Sequence, residues 1–114
     1  MKSLKVIARF NIKSGNIQTF KKLEAECITE VEEKDHGTLQ YDWYYDGQET
    51  ECVVLEAYQS SEALLEHLSH VGEQLGKMME IADFSAEIYG EPSSELLKAT
   101  EGLNIKIYGY SDGI

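Results

Sequence analysis

The hydrophobic pattern changes period along the chain in the order strand, helix, strand, strand, helix, strand, and that order admits few folds. Leu4 to Ile12 alternates, with Leu4, Val6, Ala8, Phe10 and Ile12 on one side and Lys5, Ile7, Arg9 and Asn11 on the other. Ser14-Gly15 breaks that strand. A helix is predicted from there to about Lys34, its apolar stripe formed by Ile17, Phe20, Leu23, Cys27, Ile28 and Val31. Gly37 is expected in the left-handed conformation that ends helices. Thr38 to Tyr45 alternates again, with Leu39, Tyr41, Trp43 and Tyr45 sharing a side. Asp46-Gly47 marks a hairpin, and Glu51 to Tyr58 is the partner strand. Ser60 or Ser61 caps a second helix with the stripe Leu64, Leu68, Val71, Leu75, Met78 and Met79. Gly72 and Gly76 weaken it and are expected to break it in two. Ala82 to Tyr89 is a fourth strand carrying Phe84, Ala86 and Ile88.

This is the split βαβ, or ferredoxin-like, plan of the α+β class: an antiparallel sheet with both helices on one face. The strand Glu51 to Tyr58 is apolar on both sides in its middle, and Ile7 adds an apolar residue to the outer face of the first strand. Strands of that kind are covered on both faces. Two main helices cover only one, so the expected second cover is another copy of the chain, a homodimer packed sheet to sheet. Residues 1–91 then form the domain. In residues 92–114, Ser93 or Ser94 caps a short helix and Leu103 to Tyr110 forms a last strand. That extension is expected to clasp the dimer by adding to a partner's sheet. The alternative is a lid that brings Tyr108 or Tyr110 near a ligand.

A chain of 114 residues, 42% hydrophobic and 27% charged, has the size and composition of one globular domain. Twenty-one acids against ten bases give a net charge of −11, which repels phosphate backbones and anionic membranes, so neither is an expected partner. No apolar run approaches the roughly 20 residues that span a bilayer. The N-terminal pattern alternates like a strand rather than a signal peptide, and the expected location is the cytoplasm. Two cysteines make no disulfide framework, and Cys27 and Cys52 read as inert core thiols.

No phosphate loop, dinucleotide fingerprint or nucleophile elbow is present. His67-Leu-Ser-His70 has a spacing that metal sites use, but it reads as a helix face and no metal site is expected. His67 lies on the border of the buried stripe beside Leu64, Val71 and Met78, whereas His70 falls further out and is expected to be exposed. A histidine on that border satisfies its ring nitrogens through a structural bond or through a ligand. Glu56 shares a strand face with Cys52, Val54 and Tyr58, and an acid there is paired, neutral or at a cavity. Glu24, inside the first helix's stripe, is expected at a solvated edge. The aromatic residues gather on the central hairpin, where they form either ordinary core or the walls of a cavity for a flat ligand.

The residues Gly37-Thr-Leu-Gln-Tyr41, followed by the run Glu56-x-Tyr58-x-Ser60-x-x-Ala63-x-x-x-His67, resemble the antibiotic biosynthesis monooxygenase (ABM) domain family over about Lys5 to Gly90. The resemblance implies a dimeric α/β barrel. It also implies one of several activities: cofactor-independent oxidation of quinols and polycyclic phenols, haem degradation, or isomerisation. Haem degradation fits poorly, since His67 stands where that branch tends to have tryptophan and Val71 to Ile81 holds no histidine to ligate iron. The implied function is a monooxygenase that oxidises a small aromatic with dioxygen and needs no cofactor. His67 would transfer the proton or stabilise the anion, with Glu56 orienting it. Tyr41, Trp43 and Tyr58 would shape the pocket, and Asn11 would be a polar contact. A non-catalytic binding or stress-response module and an isomerase of a small carbonyl compound are the alternatives.

Overall fold

The computed structural model describes residues 3–114. Its elements are β1 (Leu4–Ile12), α1 (Ile17–Lys34), β2 (Thr38–Tyr45), β3 (Glu51–Tyr58), α2 (Ser61–Ile81), β4 (Ala82–Tyr89), α3 (Ser94–Ala99) and β5 (Ile105–Tyr108). The sheet order is β2-β3-β1-β4-β5, with the first four strands antiparallel. This is the ferredoxin-like plan with one strand added. β5 pairs parallel to β4, because the short helix between them returns the chain in the same direction.

Alternation sets which side of the sheet the helices cover. Leu4, Val6, Ala8 and Phe10 on β1 face α1 and α2 and are buried, as are Cys52, Val54 and Tyr58 on β3. Among the described residues, no helix covers the opposite face. Ile7, Val53, Leu55 and Ala57 lie there half-buried, with Lys5 and Asn11 exposed beside them.

Three local expectations are corrected. Helix α2 runs unbroken through Gly72 and Gly76, both exposed with open space around them, so the cost of two glycines is met by packing of the opposite face. Leu39 is 60% exposed, because the β2–β3 register shifts between Thr38 and Gln40 and turns Leu39 away from Tyr41 and Trp43. Gly37 is not left-handed. Helix α1 ends at Asp35, whose backbone is already extended, and glycine is needed at 37 for a close approach. A Cβ on Gly37 would lie 2.5 Å from the Ala63 Cβ of α2. That contact presses the α1–β2 connection onto the start of α2.

Serines fasten both α2 and the C-terminal extension. Ser60 accepts from the Ala63 N–H and caps α2. Ser61 Oγ accepts from the Ser93 N–H at 2.9 Å, tying the extension to the same helix end. Ser93 in turn caps α3 through the Leu96 N–H, and Leu96 is fully buried. The last strand, expected to join a partner's sheet, lies at the edge of its own.

Candidate active site

A cavity of about 70 Å³ lies between α2 and the inner face of the sheet. Its walls are mostly apolar, with Tyr41 and Trp43 from β2, Glu56 from β3 and His67 from α2 among the polar exceptions. Strand alternation brings Tyr41, Trp43 and Glu56 to the inner face, and the helical period brings His67 over them.

His67 is 3% exposed. Its Nδ1 lies 2.8 Å from Asp35 Oδ2, and the edge of its ring meets Tyr41 with centroids 4.9 Å apart. Asp35 is the acid at the end of α1 that the Gly37–Ala63 contact holds against α2. Its side chain is 2% exposed and collects three donors: His67, His70 Nδ1 at 2.6 Å on Oδ1, and Thr38 Oγ1 at 2.6 Å on Oδ2. Burial works to raise the Asp35 carboxyl, but hydrogen bonds from His70, Thr38 and His67 outweigh it and hold it below the usual carboxylate value. An ionised carboxylate only accepts, so His67 Nδ1 carries the proton. Burial lowers the His67 pKa, although Asp35 pulls the other way, and the ring is neutral near pH 7. Nε2, without a hydrogen-bond partner among the described residues, is then a free base.

Glu56 behaves differently. Burial pushes its carboxyl up to about 7, and its hydrogen-bond partner is the Tyr58 hydroxyl at 2.5 Å. It does not bond to His67. Orientation of the imidazole, which was expected from Glu56, falls to Asp35. Tyr58 is fully buried, packs against His67 at 5.1 Å between centroids, and supports Glu56 from behind instead of lining the cavity. Burial raises the phenols of Tyr41 and Tyr58, so both stay neutral.

The structure does not bring Asn11 to this group. It is exposed on the sheet's other face, where alternation puts a residue adjacent to Phe10. His70, expected to be exposed, is only 21% exposed in its side chain because Asp35 comes to meet it. Asp35 itself was missed: it follows the last helical turn, where no period marks it. Glu24 sits at a half-exposed edge and accepts from the Tyr45 hydroxyl at 2.6 Å. Burial raises the Cys27 and Cys52 thiols to about 12, consistent with core roles. Trp43 Nε1 is buried without a partner among the described residues, a donor that a ligand oxygen would satisfy. No group of three or more histidine, cysteine or acidic side chains among the described residues is arranged to hold a metal. The extension closes one end of the cavity with Thr100, Leu103 and Ile105, not with Tyr108 or Tyr110.

The fold and this buried acid–base pair define a ferredoxin-like domain with an internal cavity. The sequence model for antibiotic biosynthesis monooxygenases matches residues 3–75, and the chain belongs to that family. Among solved structures it is similar to MupZ from Pseudomonas fluorescens, 22% identical, with a TM-score of 0.80 over 100% of this chain and 94% of that one. It is similar to a conserved protein from Methanosarcina mazei Go1, 23% identical, with a TM-score of 0.70 over 78% of this chain and 92% of that one. Rv0793 from Mycobacterium tuberculosis is 25% identical, with a TM-score of 0.69 over 81% of this chain and 97% of that one. The curated proteins contain no match. Among the described residues, no helix is long and apolar enough to cross a membrane.

Proposed function

We propose that the chain is a cofactor-independent monooxygenase of a small phenol or quinol, with His67 as its base. The observation that carries this is the Asp35–His67 pair opening onto an apolar cavity. Neutral His67 takes the phenolic proton at Nε2, and Asp35 stabilises the imidazolium that forms. The electron-rich phenolate passes an electron to dioxygen, and the resulting pair combines to place a hydroperoxide on a ring carbon. Loss of water leaves a carbonyl: a hydroquinone and one dioxygen give a hydroxyquinone and one water. The substrate supplies all four electrons. Glu56, whose carboxyl burial raises to about 7, gives the proton that leaves with the distal oxygen. The unpaired Trp43 N–H suits the substrate's anionic oxygen.

At about 70 Å³ the cavity is smaller than the roughly 150 Å³ that holds benzene. A single ring, entering as part of the wall yields, therefore fits better than a polycyclic phenol. The half-buried Ile7, Val53, Leu55 and Ala57 fit a second copy packed sheet to sheet.

Oxygen uptake with a panel of hydroquinones and phenols tests the reading. His67→Ala is expected to cost about 10²- to 10⁴-fold in turnover. Full turnover in that variant refutes the assignment. The near-neutral Glu56 also favours a second reading, an isomerase that moves a proton between His67 and Glu56 without oxygen. Turnover under argon selects it, and ligand binding with no turnover selects a binding module.

A further inference from the structure

The cavity has three walls of unequal strength. On the sheet side, β1 is held along its length by β3 and β4 in antiparallel register. On the helix side lies α2, twenty-one residues long and packed on α1. Spreading either wall breaks long ladders or the main core. The third wall is residues 92–114, which lie outside the stretch the family model matches. Here β5 has four residues and one paired edge, and α3 has six residues of which only Leu96 is buried. Leu97, Ile107 and Tyr108 of this segment are exposed.

Glycines with positive φ bracket α3. Gly90, at φ +127°, leads into it but is packed against Ser3 and Leu4 and donates to the Tyr108 carbonyl, whereas Gly102, at φ +86°, follows it with open space around it. A short edge segment that follows such an open glycine opens locally at lower cost than the core does. The side chains this segment presents to the cavity are Thr100, Leu103 and Ile105. The Thr100 hydroxyl already donates to the carbonyl of Leu96, which leaves Leu103 and Ile105 as the apolar stops.

We propose that the α3–β5 extension is the gate of the cavity and that Leu103 and Ile105 set the size of ring it admits. A ring enters when the chain beyond Gly102 swings β5 away from β4, and it is retained when Leu103 and Ile105 return. This rests on the proposed function only in taking a phenolic ring as the occupant.

Calorimetric titration with phenol and 2-naphthol as probes tests both parts on the full chain. Leu103→Ala and Ile105→Ala are each expected to bind 2-naphthol about 10-fold or more tighter than the parent, since apolar pocket contacts of this size discriminate by roughly that factor. Phenol affinity should change much less. Tyr89→Cys/Tyr108→Cys joins stacked side chains that are register partners on β4 and β5, away from the cavity. Oxidation of that variant should abolish phenol binding, and reduction should restore it, with the mass by light scattering unchanged. The proposal falls if neither alanine variant gains 2-naphthol binding, or if the oxidised variant binds phenol as the reduced one does. Phenol binding gated in this way but without oxygen uptake would overturn the proposed chemistry and leave the gate standing.

Discussion

Asp35 and Glu56 are both shielded from water and lie in the shell around His67, yet they titrate in opposite directions. Asp35 is held below the usual carboxylate value and Glu56 is raised to about 7. Glu56 is the more deeply set of the two, although the Asp35 side chain is itself only 2% exposed. The donors decide the sign. Asp35, just beyond a helix end, receives two imidazoles and a threonine hydroxyl. Glu56, in the middle of a strand, receives one tyrosine hydroxyl. Burial taxes a charge, and the number of hydrogen bonds to the ionised form decides whether the charge survives.

Asp35→Asn breaks the comparison at its stronger side and carries the largest expected effect. The amide can turn its N–H₂ toward His67 Nδ1, which selects the tautomer with the proton on Nε2 and removes the base. Turnover is expected to fall about 10²- to 10⁴-fold with the fold retained. Asp35→Ala, which strips His67, His70 and Thr38 of their shared acceptor, should cost about 3 kcal/mol in urea unfolding. Undiminished turnover in the asparagine variant would show that Asp35 is only a structural tie.

Glu56→Gln tests the weaker side through the pH dependence of stability. A folded-state pKa raised to about 7 from 4.5 means that the folded chain holds a proton the unfolded chain has released. Stability from this group therefore falls as pH rises through that window, by roughly 3 kcal/mol in all. Asp35 has the opposite sign: its contribution is present above the unfolded value near 4 and is lost as pH falls through the depressed folded value. His67, lowered by burial, also loses stability as pH falls below its usual 6.5. Because these slopes oppose one another, the informative quantity is the difference between parent and variant. Urea unfolding at pH 5 and pH 8 should show the variant gaining on the parent at the higher pH. Equal differences at the two pH values would mean that Glu56 is ionised throughout.

The same contrast explains what the sequence disclosed. Tyr41, Trp43, Glu56 and His67 were legible because alternation and the helical period assign each a face, and the two inner faces meet at the cavity. The strand order followed from the succession of periods. Alternation also set Asn11 opposite Phe10, so its placement as a pocket contact came from the family resemblance and not from the pattern. Asp35 had no face to be assigned. It lies in the connection between α1 and β2, and its position depends on the Gly37–Ala63 approach, a tertiary contact at a glycine that looked like a helix stop. The partner of β5 was equally hidden, since an edge strand's pattern says which side is apolar and not which neighbour it pairs with.

The smallest expected effect comes from His70→Ala, which asks whether Asp35 needs its solvent-side imidazole. That side chain is partly exposed, so losing its hydrogen bond should cost only about 1 kcal/mol. Asp35 would remain ionised on His67 and Thr38, but its charge would be shared with one imidazole fewer. A protonated His70 also disfavours a second positive charge on His67. Both changes act in the same direction and move the His67 titration upward, which NMR of the imidazole ring follows without any substrate. If His67 titrates unchanged, the two histidines are independent and His70 is a surface ligand of Asp35. If it rises, the solvent-side histidine tunes the basicity of the one in the cavity, and the difference between the two acids extends from stability to the strength of the base they flank.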